Sequence, residues 1–184
     1  MPKIKSMKKL SMDELNRSSV DQFKSEIKTP LVVILDNIRS MNNVGSIFRT
    51  CDAFAIEHLY LCGITAQPPH KDIAKTALGA TESVAWSYHE DVVSLVTQLQ
   101  QDHFEVYLIE QTDNSILLDK FEITPNKKVA IVLGNEVFGV DEKLLPICNG
   151  VIEIPQFGTK HSLNVTIAGG IVIWEMVKQI KNFE

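Results

Sequence analysis

Two runs of branched apolar residues constrain this chain more than anything else in it. Leu31-Val32-Val33-Ile34-Leu35 and Val129-Ala130-Ile131-Val132-Leu133 contain neither a polar residue nor any apolar-polar alternation. Bounded by turn-forming residues and rich in β-branched side chains, such runs read as strands apolar on both faces, which must be covered on both faces. That condition is met in a parallel sheet held between two layers of helix. Each run ends in a polar segment, Asp36 to Asn43 and Gly134 to Val140 respectively.

The rest of the chain alternates in the same sense. Further strands are predicted at 58–62, 83–88, 106–109 and 151–154. Helices are predicted around 44–51, 73–78, 91–101, 141–147 and 163–181. Six strands alternating with helices predict an α/β fold, a mostly parallel sheet with helices on both faces. Upstream, Ser11 with Glu14 and Ser19 with Gln22 have capping-box spacing. They predict two short helices within 11–29, closed by Pro30. The chain therefore divides into a basic helical extension, 1–30, a candidate for RNA docking, and a domain over 31–184.

The last helix sets a further demand. Val165, Ile167, Ala168, Ile171, Val172, Ile173, Trp174, Met176 and Val177 leave its first half almost without a polar face. A helix apolar all round must be covered all round. One side packs on the sheet; the other is expected to meet a second copy of the chain, with another segment of the same chain as the alternative.

With 184 residues, 45% hydrophobic and 22% charged, the composition is that of one soluble domain with a full core. No apolar run approaches the ~18 residues of a membrane span, and the basic start MPKIKSMKKL has no signal-peptide core. A cytoplasmic protein without a membrane partner is expected. Cys51, Cys62 and Cys148 are odd in number and widely spaced, which predicts free thiols rather than disulfides or a zinc site. The net charge of −5 is uneven: seven basic and four acidic residues give the first 30 positions +3, leaving −8 for the remainder. A basic arm on an acidic body is compatible with RNA docking, but on charge alone a solvated terminus is the stronger reading.

Several common chemistries are excluded. There is no GxGxxG and no GxxxxGK[ST]; Gly134 and Gly139 have the glycine spacing of the latter, but Val140 and Asp141 follow them. There is neither HExxH nor GxSxG, and the five histidines are scattered, so no metal site is predicted. What remains is a set of polar turns after apolar strands, at the end of a parallel sheet where ligands bind.

Three such clusters stand out. In Asn42-Asn43-Val44-Gly45-Ser46-Ile47-Phe48-Arg49-Thr50, Asn42 or Asn43 can cap a helix and Gly45 permits close backbone approach. Arg49 follows Asn43 by six positions; taken alone it reads equally as a surface arginine paired to a carboxylate. The turn Gly134-Asn135-Glu136-Val137-Phe138-Gly139 directly follows a buried strand. The run Ile154-Pro155-Gln156-Phe157-Gly158-Thr159-Lys160-His161-Ser162-Leu163-Asn164-Val165 enters the last helix, where Ser162 or Asn164 can serve as no more than a cap.

In combination and in this order, the clusters resemble the three signature motifs of the SpoU-type (TrmH-like) RNA ribose 2′-O-methyltransferases of the SPOUT superfamily. Asn43 and Arg49 in NVGSIFRT match the first, GNEVFG the second, and IPQFGTKHSLNV the third. The resemblance spans about residues 31–180. Gln156 stands where methionine is common, and Cys51 where alanine is.

The resemblance implies a sheet whose C-terminal segment is threaded into a trefoil knot, and a homodimer that packs its last helices together and composes the active site from both chains. It implies S-adenosyl-L-methionine as cofactor, held by Ile109, Glu110, Gly134, Ile154 and Leu163. The substrate is an RNA, transfer RNA favoured over ribosomal RNA. In the family Arg49 is the residue assigned to activating the 2′-hydroxyl. A guanidinium is almost never deprotonated, so the role expected here is to grip the neighbouring phosphate and stabilise the developing alkoxide. Asn43 and Glu136 are expected to position Arg49 and the loops, and Ser162 and Asn164 to shape the site. Two rivals remain: a non-catalytic RNA-binding or assembly protein of the same fold, and a Rossmann-like enzyme using another nucleotide.

Overall fold

The computed structural model describes residues 7–11 and 13–181. Strands β1 (Thr29–Asp36), β2 (Ile56–Cys62), β3 (Trp86–His89), β4 (Phe104–Ile109), β5 (Ile116–Leu117), β6 (Lys128–Leu133) and β7 (Gly150–Glu153) form one sheet. Helices α1 (Val20–Ser25), α2 (Met41–Ala53), α3 (Lys71–Ala77), α4 (Ala80–Ser83), α5 (Val92–Gln101) and α6 (Val165–Lys181) complete the fold. The strand order is β3-β2-β1-β6-β4-β7-β5 and every pairing is parallel.

The two apolar runs lie side by side at the centre, in register from Leu31 opposite Val129 to Leu35 opposite Leu133. Their successive side chains feed two separate cores. Leu31, Val33, Leu35, Val129, Ile131 and Leu133 pack under α2, α3 and α6. Val32, Ile34, Ala130 and Val132 pack under α5 with Leu95, Val96 and Leu99. A strand serving both layers has no polar face to offer, which is why the alternation is missing from its sequence. Each fully buried aliphatic side chain contributes about 1.5–3 kcal/mol.

The predicted elements shift in detail, each for a local reason. β1 begins at Thr29, and Pro30 lies where the β1–β2 register slips between Thr29 and Val32; a proline without an N–H fits at such a bulge. The third strand, expected from Ser83, begins at Trp86, and Ser83 instead closes the short helix α4. The helix expected over 141–147 is only a 3-10 turn, Glu142–Leu144, because Pro146 cannot extend it. β5 was not predicted: two half-exposed residues on an edge carry no pattern. α6 starts at Val165, since Asn164 Oδ1 accepts the Thr166 amide at 2.8 Å and ends the preceding loop.

Both upstream capping boxes form. Ser11 and Glu14 bond reciprocally before the turn Asp13–Leu15, as do Ser19 and Gln22 at the head of α1. Lys3 and Lys5 of the basic arm lie outside the described residues. Cys51, Cys62 and Cys148 are free. Among the described residues no helix is long and apolar enough to cross a membrane.

Candidate active site

The carboxyl ends of β4, β6 and β7 and the loop entering α6 surround a cavity of about 570 Å³. Eight of the ten residues singled out from the sequence line it: Ile109, Glu110, Gly134, Glu136, Ile154, Ser162, Leu163 and Asn164. They come from separate parts of the chain because β4 and β6 are neighbours and β7 adjoins β4.

The turn after β6 is built tightly. Asn135 and Gly139 exchange backbone hydrogen bonds at 2.8 and 2.9 Å. The Asn135 side chain accepts the Val137 and Phe138 amides and donates to the Asn37 carbonyl at 2.7 Å. Gly139 has φ +72, and a Cβ there would meet the Glu110 carboxylate. A Cβ on Gly134 would lie 2.2–2.5 Å from the Gly139 and Val140 backbone. The glycines thus let the chain double back and leave a cradle against the cavity.

Glu136 joins this turn to the head of α2. Its carboxylate accepts the Arg39 amide at 3.0 Å, the Ser40 amide at 3.1 Å and the Asn43 side-chain amide at 2.9 Å. Ser40, not Asn42 or Asn43, caps α2, accepting the Asn43 amide with its hydroxyl. Asn43 is thereby left with its side chain for Glu136. The Asn43 carbonyl oxygen faces the Asn164 side-chain amide at 3.5 Å, the long limit of a hydrogen bond. Asn43, Glu136 and Asn164 thus link the three sequence clusters.

Burial pushes the Glu136 carboxyl up, but the bonds from Arg39, Asn43 and Ser40 outweigh it, and the net shift is below the ordinary 4.5. A carboxylate whose folded-state pKa is depressed stabilises the protein above its unfolded-state value, and that contribution is lost as pH falls through the folded-state value. Glu136→Gln should therefore melt below the wild type at neutral pH, and the gap should close as pH drops below 4.5. A gap of constant size in paired thermal melts would remove the carboxylate's charge from this account.

Arg49 does not join the others within one chain. It projects from the exposed side of α2 into a separate hollow with Ser46, Thr50, Phe54, Lys75 and Thr76, and no carboxylate pairs with it among the described residues. The surface ion pair that sequence alone allowed is absent among the described residues. Phe54, which lines this hollow, packs on Trp174 of α6 with ring centroids 5.8 Å apart. On α6 itself, Val172, Ile173, Met176 and Val177 are buried, while Ile167 is 54%, Ile171 39% and Trp174 48% exposed. Ile167 and Ile171 thus form an exposed apolar stripe on α6.

Two contributors escaped the sequence reading. Asn135 organises the glycine turn; its place between Gly134 and Glu136 was the available signal, since asparagine satisfies tight turns with its own side chain. Gln111 ties the loop after β4 to the third cluster by donating to the His161 carbonyl at 2.9 Å, and no motif marks it.

Among the described residues the cavity wall carries two carboxylates, Glu110 and Glu136, and no lysine, arginine or histidine. Leu133, Ile152, Ile154, Leu163, Val165 and Ala168 supply apolar surface. Such a site favours a ligand with a positive centre and an apolar body, and disfavours a polyphosphate.

Comparison with known proteins follows the same line. The profile of the SpoU rRNA Methylase family matches residues 30–174. The tRNA (guanosine(18)-2′-O)-methyltransferase of Thermus thermophilus is 28% identical over 166 residues, covering 90% of this chain and 84% of that protein. The solved structure of the A. aeolicus TrmH/SpoU tRNA modifying enzyme superposes with a TM-score of 0.78 at 25% identity, covering 89% of this chain and 81% of that one. An AdoMet-bound rRNA methyltransferase from Sinorhizobium meliloti shares the fold, with a TM-score of 0.75 at 24% identity over 84% of this chain and 59% of its own.

Proposed function

Because this chain belongs to the SpoU rRNA methylase family, we propose that it methylates a ribose 2′-hydroxyl of a structured RNA, transfer RNA in preference to ribosomal RNA. It is an S-adenosylmethionine-dependent RNA methyltransferase. The observation that carries the reading is the cavity where the three clusters converge, acidic and apolar with no basic side chain, beside the Asn43–Glu136 pair. A sulfonium cofactor fits that donor set; NAD and ATP, with their phosphates, do not. The preference for transfer RNA is supported by length, since the Thermus and A. aeolicus tRNA enzymes are matched over most of their extent.

When bound, the cofactor supplies an activated methyl group, and the chain's residues supply orientation and charge. Gly134 lets backbone come close to the ligand, while Ile109, Ile154 and Leu163 enclose it and Glu110 faces it. Asn43 and Glu136 hold the head of α2 against the glycine turn. Ser162 and Asn164 shape the mouth. Arg49 grips the phosphate next to the target ribose and stabilises the alkoxide as its proton passes to a phosphate oxygen or a water.

For Arg49 to act, it must come from a partner. Its hollow adjoins the exposed stripe of α6 through the Phe54–Trp174 contact. A second copy docked on that stripe brings each Arg49 toward the other chain's cavity. We read the protein as a homodimer on this ground, working in the cytoplasm, with residues 1–30 as an RNA-docking arm. The knot is supported by the path of the chain, which returns from β7 to pack α6 on β1 and α2 at the sheet centre.

Three measurements test the reading. S-adenosylmethionine at 100 times its dissociation constant should stabilise the protein by about 2.7 kcal/mol in a thermal-shift assay; NAD and ATP should leave the melt where it was. Mapping ribose methylation in total RNA with and without the gene should show one lost mark. Ile167→Asp with Ile171→Asp should give a monomer by size-exclusion chromatography that retains cofactor binding and transfers no methyl group. A dimer, or an active monomer, would sink the shared-site arrangement.

A further inference from the structure

On the far side of the Asn135–Gly139 turn, a second hollow of about 380 Å³ opens at the same rim of the sheet. It shares Asn135, Phe138 and Gly139 with the cofactor cavity, and adds Arg39 and Ile64. Ile64 is 66% and Phe138 82% exposed. They stand on two different loops, one after β2 and one after β6, and both line the hollow.

The Arg39 side chain is exposed, and among the described residues no carboxylate lies within ion-pair distance of it. Both acids of the same hollow are engaged: Asp36 accepts the Asn37 side chain at 2.7 Å and the Asp141 amide at 2.8 Å, and the Asp141 carboxylate accepts the Lys143 amide at 2.9 Å. The hollow thus offers an open cation and two apolar walls. It is coupled to the methyl-transfer site through one residue, because the Arg39 amide donates to Glu136.

We propose that this hollow seats one nucleobase of the substrate RNA between Ile64 and Phe138, with Arg39 on an adjoining phosphate. The inference rests on the reading of the protein as an RNA methyltransferase. A base presents two flat apolar faces, which stack on side chains whatever the sequence. Splayed-out bases are how single-stranded segments of folded RNA are held. A guanidinium pairs with phosphate through two parallel N–H bonds. Seating a base here would hold the strand against the glycine turn, next to Glu136 and Asn43.

The test is the kinetics of the full-length protein on total tRNA, with cofactor affinity measured separately by calorimetry. Arg39→Ala and Ile64→Ala should each raise KM for RNA by about tenfold, with kcat and the cofactor Kd within about twofold of wild type. Ile64→Phe, which rebuilds and widens the apolar wall, should hold KM at or below the wild-type value. Lys127→Ala, a surface cation elsewhere, should leave KM unchanged; an equal rise there would reduce Arg39 to general charge attraction and overturn the inference. Wild-type KM in both Arg39→Ala and Ile64→Ala, with methyl transfer intact, would overturn it alone. A wild-type protein that neither retains nor methylates any RNA would overturn it together with the reading beneath it.

Discussion

Arg49→Ala is expected to cut methyl transfer by about 10²–10³-fold while the cofactor Kd stays within about twofold of wild type. The separation follows from position. Arg49 is exposed, lines no part of the cofactor cavity, and pairs with no carboxylate among the described residues. Its removal should cost the fold no more than about 0.5 kcal/mol, as for other surface substitutions. What disappears is a fixed positive charge at the developing alkoxide, of most value where water is excluded. Arg49→Lys should restore only part of the rate, because an ammonium lacks the planar fork that engages a phosphate through two bonds. Mixing Arg49→Ala with a chain whose cavity is blocked by Leu163→Trp should recover activity that neither homodimer has. Full turnover by Arg49→Ala would take the residue out of the chemistry, and failure of the mixture would place it in its own chain's site.

Gly134→Ala should abolish measurable cofactor binding and lower Tm by about 4–12 °C, the equivalent of about 2–3 kcal/mol in a domain of this size. The added Cβ would meet the carbonyl carbon and oxygen of Gly139 and the nitrogen of Val140 at 2.2–2.5 Å. All three are backbone atoms of the turn, held by the paired bonds between Asn135 and Gly139, so no side chain can swing aside. The turn must open, and with it the contacts of Asn135 and Glu136. Gly158→Ala is the control: a Cβ there meets nothing within 4 Å, and Tm should not move. Tight cofactor binding by Gly134→Ala would show that the cradle is not where the ligand sits.

Much of this was legible in the sequence for a common reason. The central strands announced themselves because a strand buried on both faces has to be apolar at every position, and Leu31 to Leu35 are. The capping boxes at Ser11–Glu14 and Ser19–Gln22 were readable because both partners lie three residues apart. The glycine turn was readable because Gly134 and Gly139 bracket it. In contrast, β5 was invisible, being two residues on an edge with no face to bury. The cap of α2 was misplaced by two or three residues, because Ser40, Asn42 and Asn43 are all good caps and only the fold shows which one is used.

Residue types and their spacing by themselves determined the layers, the strands and the three polar turns, since burial pattern and turn chemistry act between near neighbours in the chain. Tertiary structure alone decided which turns meet. Asn43 reaches Glu136 across 93 positions only because β1 and β6 lie side by side. It also decided that Arg49, six residues along the same helix, opens into a separate hollow with Phe54 and Lys75. A helix turns about 100° per residue, so two positions can belong to one motif and still serve opposite sides of the molecule.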